Sequence, residues 1–274
     1  MSKKILPLIA IILLSIIQTG CKNQSKEESC SSEIVSEKET YVLVHSAWLG
    51  AWQWSEVAQK LREKGHTVIT PDLPAHGKDS TPNTEVTMES YVNTITNIID
   101  EQEQKFILVG HSFNGITISR VAELRAEKIK SLVYLTAFII PNGESFFSAV
   151  AEVENSIAVN HFYLSEDNTL AYVEEEYLQE AFAHDIPKDA FERAKPYIVA
   201  EPVEPLSYQL KTSEERFGKV TKYYLECTED RAIPIDVQRA MYEGKVKKVY
   251  SLNSSHTPNF SQPENLANIL LNLN

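Results

Sequence analysis

The stretch KFILVGHSFNGITISRVAELRAEK (105–128) changes character in its middle. Before Gly110 it is a nearly continuous apolar run, as a strand buried on both faces requires. After Gly115 the residues read as a helix. Between them GHSFNG (110–115) comes close to Gly-x-Ser-x-Gly, the tight strand-to-helix turn that presents a nucleophilic serine. Such a turn forces its central residue into strained backbone geometry and pushes the hydroxyl outward. It also aims the free N–H groups of the helix start toward a developing oxyanion. Glycine is expected at position 114, but Asn114 stands there and Gly115 comes one residue late. Asn adopts unusual backbone conformations more readily than most residues, so Ser112 is read as the nucleophile.

The same alternation surrounds this unit. Apolar runs at 41–46, 67–70, 106–110, 131–136, 222–227 and 248–252 read as six strands, with helical stretches between them. In 88–101, Met88, Tyr91, Val92, Ile95, Ile98 and Ile99 share one face at helical spacing. Ser261-Gln262-Pro263-Glu264 reads as a capping box that opens the last helix. Alternating strands and helices predict an α/β fold, a mostly parallel sheet of about six strands with helices on both faces. One segment breaks the rhythm. Residues 138–215 are mainly helical in pattern, and 170–182 places Leu170, Val173, Tyr177, Leu178 and Phe182 on one stripe. An insertion over the carboxyl edge of a parallel sheet is where a cap would lie. Its Phe146, Phe147, Phe162 and Tyr163 could face a pocket or the core, core being the default for such residues.

A chain of 274 residues, 43% hydrophobic, can build one large domain without disulfides. A net charge of −12 argues against nucleic acid as a partner, since phosphate binding needs a basic face. Residues 1–20 have Lys3 and Lys4, an apolar run from Ile5 to Ile17 and small residues before Cys21, the layout of an export signal. The run is too short for a permanent span of about 20 residues. Thr19-Gly20-Cys21 resembles the end of a bacterial lipoprotein signal, which implies lipidation of Cys21 and anchoring at the bacterial cell envelope. Residues 21–39 are polar and charged and read as a flexible tether, leaving 40–274 as the folded domain. With Cys30 in the tether, Cys227 is expected to be a buried thiol.

A serine hydroxyl needs a base, and the base needs an orienting acid. His256 lies in a polar loop, NSSHTPN (253–259), between the last strand and the final helix. For the acid, Glu229, Asp230 and Asp236 all follow the fifth strand, and spacing prefers none of them. No histidine pair has metal-ligand spacing.

VLVHSAWLGAWQW (42–54), GHSFNG (110–115), ERFGKVTKYYLECTEDRAIPIDVQRAM (215–241) and SSHTPNFSQPENL (254–266) together resemble the α/β-hydrolase superfamily. The resemblance is to the branch of plant methyl-ester esterases, hydroxynitrile lyases and small bacterial esterases, and runs from about Thr40 to the C-terminus. It implies Ser112 as nucleophile, His256 as base, Asp230 as acid, and the backbone N–H groups of Ala47 and Phe113 as oxyanion hole. It implies no cofactor and no metal. His45, Ser46, Trp48 and Thr257 are expected near the substrate. Ser46 replaces the family's usual glycine and resembles the threonine of the lyases. Thr257 stands where the lyases carry the lysine that holds cyanide. The resemblance therefore implies cleavage of small carboxylic esters through an acyl-enzyme. Lyase-like chemistry and a non-catalytic binding protein are the alternatives.

Overall fold

A computed structural model describes residues 38–151 and 153–273. The signal, the lipidation site and nearly all of the tether lie outside these residues. Among the described residues there are nine strands, β1 (Thr40–Val44), β2 (Thr67–Ile69), β3 (Phe106–His111), β4 (Ile129–Leu135), β5 (Phe162–Leu164), β6 (Leu170–Val173), β7 (Glu201–Pro202), β8 (Lys222–Cys227) and β9 (Lys248–Leu252). Six of them form one sheet in the order β2-β1-β3-β4-β8-β9, with all neighbours parallel. All six predicted strands are present within a residue or two.

The sheet is covered on both sides because its central strands carry unbroken apolar runs at 42–44, 106–109 and 132–135. Val42, Val44, Leu108, Leu132 and Tyr134 face one core. That core is closed by α2 (Met88–Asp100) and α3 (Gly115–Arg125). Tyr41, Leu43, Ile107, Val109, Val133 and Leu135 face the other, against α1 (Ser55–Glu63) and the last helix, Pro263–Leu271. Helix α2 buries Met88, Tyr91, Val92, Ile95 and Ile99 as its spacing predicts. Each such side chain contributes about 1.5–3 kcal/mol on leaving water. The expected thiol is there too: Cys227 is fully buried, and burial pushes its pKa well up.

Two expectations fail locally. The predicted capping box does not form, because Ser261 ends a separate short helix, Pro258–Ser261. Gln262 caps the last helix without a side-chain bond, although Pro263 does sit in its first turn. The segment between β4 and β8 is also not simply helical. It carries short helices and a three-stranded antiparallel sheet, β5-β6-β7. The stripe over 170–182 is half strand: Ala171 and Val173 are buried while Leu170 and Tyr172 are half-buried, a period of two. Only Leu178–Phe182 is α-helical. Apolar residues three apart satisfy a helix, but an alternating branched and aromatic run pairs equally well with a neighbouring strand.

Candidate active site

Five loops leave the carboxyl ends of parallel strands and meet at one rim, where open α/β sheets place their ligands. They bring together the residues after β1 (45–48), β3 (112–114), β4 (136), β8 (228–233) and β9 (253–257).

Ser112 is the residue on which β3 turns into α3. Its φ is +58°, in the left-handed region that an L-residue enters only at a cost. The turn is tight enough to demand glycine on both sides. A Cβ on Gly110 would meet Asn114 O at 2.8 Å, and one on Gly115 would meet Phe138 O at 2.4 Å. Asn114 itself is used rather than tolerated. Its Nδ2 donates to His45 C=O at 2.7 Å, and its Oδ1 accepts from the Thr117 hydroxyl at 2.6 Å. The side chain that replaces the usual glycine therefore ties the serine turn to the β1 loop.

His256 and Asp230 are a buried pair. His256 Nδ1 lies 2.7 Å from Asp230 Oδ2, and both side chains are all but sealed from solvent. Asp230 is held from every side. Its Oδ1 accepts the N–H groups of Ala232 (2.7 Å) and Ile233 (2.9 Å), and its Oδ2 accepts the Thr136 hydroxyl. Glu229 bonds through its backbone to Ser254 and His184, and Asp236 sits in the first turn of the next helix, so Asp230 is the one acid against the imidazole. His256 Nε2 is buried and has no hydrogen-bond partner. It is therefore not bonded to the Ser112 hydroxyl, and such contacts are commonly long until substrate arrives.

Beneath this pair runs a polar chain that the sequence did not disclose. Gln53 Oε1 accepts Ser46 N–H at 3.0 Å, and Gln53 Nε2 donates to His111 Nδ1 at 2.9 Å. His111 Nε2 donates to the His256 carbonyl at 2.9 Å. Since a carbonyl only accepts, His111 is neutral with its proton on Nε2. Burial first, and His256 second, push its pKa well down. The β1 loop, the serine turn and the histidine loop are thus stitched together below the rim.

In the β1 loop, Trp48 is at φ +63°. His45 lies deeper, with Nε2 accepting Leu73 N–H and Nδ1 donating to Ser46 C=O. Burial, then neighbouring His76, lower its pKa to about 3, so it is neutral. The Ser46 hydroxyl bonds to Gln53 and the Ala47 carbonyl, and the Thr257 hydroxyl donates to the Phe182 carbonyl at 2.7 Å.

Two apolar slots flank the rim. The first, with about 520 Å³ of unfilled space counted to its mouth, touches Ser112 and Phe113 and is walled by Phe138, Phe146, Phe147 and Phe162. The second, about 460 Å³, touches Ser46, Ala47 and Thr257 and is walled by Trp52, Leu178, Phe191 and Phe260. Trp48 and Phe182 line both slots, with ring centroids 5.6 Å apart. His45 lines neither of these two. Phe146, Phe147 and Phe162 thus face a pocket rather than only the core, and Tyr163 is 49% exposed. No charged side chain lines either slot. Among the described residues, no three His, Cys, Asp or Glu side chains are grouped to hold a metal ion.

Known proteins resemble this chain in sequence and in fold. Methylesterase 7 of Arabidopsis thaliana is 31% identical over 247 residues, covering 85% of this chain and 95% of that protein. A pyrethroid hydrolase from Sphingobium faniae JZ-2 superposes with a TM-score of 0.78 at 27% identity, covering 85% of this chain and 96% of the other. Polyneuridine aldehyde esterase superposes with a TM-score of 0.76 at 25% identity, covering 86% and 98%. The sequence profile of the alpha/beta hydrolase family matches residues 41–269, nearly everything the structure describes, and with the parallel sheet and its serine turn already in view this chain belongs to that family.

Proposed function

We propose that the protein is a serine esterase that cleaves small, uncharged carboxylic esters through an acyl-enzyme. One observation carries the reading: the buried Asp230–His256 pair leaves an unpartnered imidazole nitrogen at the rim where Ser112 is held in a strained turn. In the proposed cycle His256 Nε2 takes the Ser112 proton as Oγ attacks the ester carbonyl. Asp230 fixes the imidazole tautomer and stabilises its cation. The N–H groups of Ala47 and Phe113 hold the tetrahedral oxyanion, donors typically worth about 3–4 kcal/mol each in the transition state. His256 returns the proton to the departing alcohol, and water then frees the acid. Relatives named as methylesterases and as an esterase support ester cleavage.

The slots support an apolar, uncharged substrate. They also favour the esterase over lyase chemistry, because neither lining contains a cation to hold a leaving cyanide. A series of p-nitrophenyl esters tests this. Butyryl and hexanoyl esters are expected to turn over, while a hemisuccinyl ester, which forces a carboxylate into a dry slot, is expected to lose at least about 100-fold in kcat/KM. Equal turnover of charged and uncharged acyl groups would overturn the substrate assignment.

We also propose that Cys21 carries a lipid that holds the domain at the bacterial cell envelope. The supporting observations are the apolar run Ile5–Ile17, the Thr19-Gly20-Cys21 that follows it and the polar tether behind them. No helix among the described residues is long and apolar enough to cross a membrane. The full chain expressed in a bacterium is expected to partition into the Triton X-114 detergent phase and Cys21→Ala into the aqueous phase. Identical partitioning of the two would sink the proposal.

A further inference from the structure

The cap buries a carboxylate against the β1 loop. Glu201, on the two-residue strand β7, is 0% exposed. Its Oε1 accepts the Tyr91 hydroxyl at 2.9 Å. Its Oε2 accepts the Trp48 backbone N–H at 3.0 Å and faces His76 Nε2 at 2.9 Å. His76 Nδ1 in turn faces the Pro74 carbonyl at 3.0 Å. The Tyr91 hydroxyl also lies 3.4 Å from Nδ1, but its proton goes to Glu201, so every partner of the ring is placed to accept and both ring nitrogens to donate, the arrangement of an imidazolium. A buried charge pair of this kind is costly unless every member is satisfied. Here each one is.

What this pair grips is Trp48, the residue after Ala47. All three polar groups of Trp48 are bonded to the segment between β4 and β8: its N–H to Glu201, its carbonyl to Val199 N–H at 2.9 Å, and its indole N–H to the Ala171 carbonyl at 3.0 Å. Trp48 holds a φ of +63°, a conformation that needs surrounding structure to maintain it. The peptide joining Ala47 to Trp48 is therefore fixed from the cap, and the Ala47 N–H is one peptide away.

We infer that Glu201, locked by His76, is a positioning residue that sets the Ala47 N–H for the oxyanion and makes its placement depend on a docked cap. The inference rests on the esterase reading above, which supplies the oxyanion. Glu201 does not touch the reacting atoms. It acts through Trp48, so its loss is felt in the transition state more than in substrate binding.

The charge state gives the device a pH dependence. His76 is faced by Glu201 from β7, by Asp72 and Asp79 from the segment after β2, by His45 from the β1 loop at a ring separation of 5.0 Å, and by Tyr91 from α2. Glu204 lies near Tyr91. Burial opposes the His76 charge, but the Glu201 carboxylate, the Pro74 carbonyl and Asp72 together hold His76 above the ordinary imidazole range. Burial likewise opposes the Glu201 charge, but His76, the Trp48 N–H and the Tyr91 hydroxyl together hold the carboxyl below its usual range. A raised imidazole contributes fully at low pH and loses its contribution as pH rises through its folded value. Neutral His76 has one proton for two acceptors, so the lock weakens on the alkaline side.

The test uses Glu201→Gln, which keeps the shape and removes the charge, alongside His76→Gln. With p-nitrophenyl butyrate, each is expected to lower kcat about tenfold or more with KM within about twofold. Wild-type kcat is expected to fall on the alkaline side while its melting temperature still lies well above the assay temperature, and both variants are expected to lack that fall. Wild-type kcat in Glu201→Gln, a loss residing in KM, or an alkaline limb unchanged in both variants would overturn the inference. If neither variant folds, the wild-type protein decides. The backbone amide resonances of Ala47 and Trp48 are expected to move together through the alkaline transition, and static resonances overturn it. Fluorophosphonate labelling of wild-type Ser112 separates the two readings. Labelling at equal rates in wild type and Glu201→Gln leaves the esterase standing and removes the positioning role. No labelling and no turnover in the wild type removes the esterase reading and this inference with it.

Discussion

Replacing Ser112 with alanine is expected to lower kcat on p-nitrophenyl butyrate by at least about 10⁴-fold, because no other hydroxyl occupies the strained position between β3 and α3. The fold should not notice. The Ser112 hydroxyl makes no hydrogen bond to another described residue, while the turn is held by its neighbours: Ser112 C=O to Phe138 N–H at 3.1 Å, and Asn114 to His45 and Thr117. The change in stability is therefore expected to stay within about 0.5 kcal/mol, a shift of roughly 1–2 °C in Tm for a domain of this size. The same variant should be silent toward a fluorophosphonate probe. Turnover within tenfold of wild type would remove Ser112 from the mechanism, whatever the strain at its backbone.

Asp230→Asn is expected to act differently, on rate and on stability together. The aspartate accepts on both oxygens, from two backbone N–H groups on one side and from His256 and Thr136 on the other. An amide has one accepting oxygen and one donating nitrogen. Turned one way, its NH₂ points at His256 Nδ1, and the ring must carry its proton on Nε2, the atom that should be the base. Turned the other way, its NH₂ meets the Ala232 and Ile233 N–H groups head on. A loss of about 10⁴-fold in kcat follows from the wrong tautomer. A mispaired buried donor costs about 1–3 kcal/mol, lowering Tm by roughly 2–10 °C. Kinetics and a thermal melt on the same preparation check both. A variant with near-normal kcat would mean that Asp230 supports the turn rather than the imidazole.

Much of this architecture could be read from the chain, and the boundary of what could be read has a physical cause. The six sheet strands announce themselves because burial on both faces leaves no polar position within 41–44 or 106–109. The serine turn is legible because a close approach of strand and helix demands glycine at 110 and 115, and that demand is local. The cap is not legible, because apolar spacing over 170–182 fits a helix and only the partner strand Phe162–Leu164, which pairs with Leu170–Val173, decides otherwise. Gln53, Thr136, Glu201 and His76 left no signal at all. Gln53 sits between two tryptophans and Glu201 between apolar residues and a proline. Each acquires its role in the site from a partner far away in the chain: Gln53 from His111, Thr136 from Asp230, Glu201 from His76 and Trp48. The acid was open among three carboxylates for the same reason, and geometry singles out Asp230 through contacts that no spacing rule contains.

Phe182 belongs to two neighbourhoods at once. Its ring lines both slots and packs 5.5 Å from the His256 ring, while its carbonyl receives the hydroxyls of Ser255 and Thr257. Asp185, three residues on, accepts the Ser255 N–H. For anyone recombining parts among relatives, the exchangeable module is consequently not the cap alone. Residues 178–186 and 253–257 must come from the same parent, because a foreign cap would leave the C-terminal loop with hydroxyls and an amide that have lost their host.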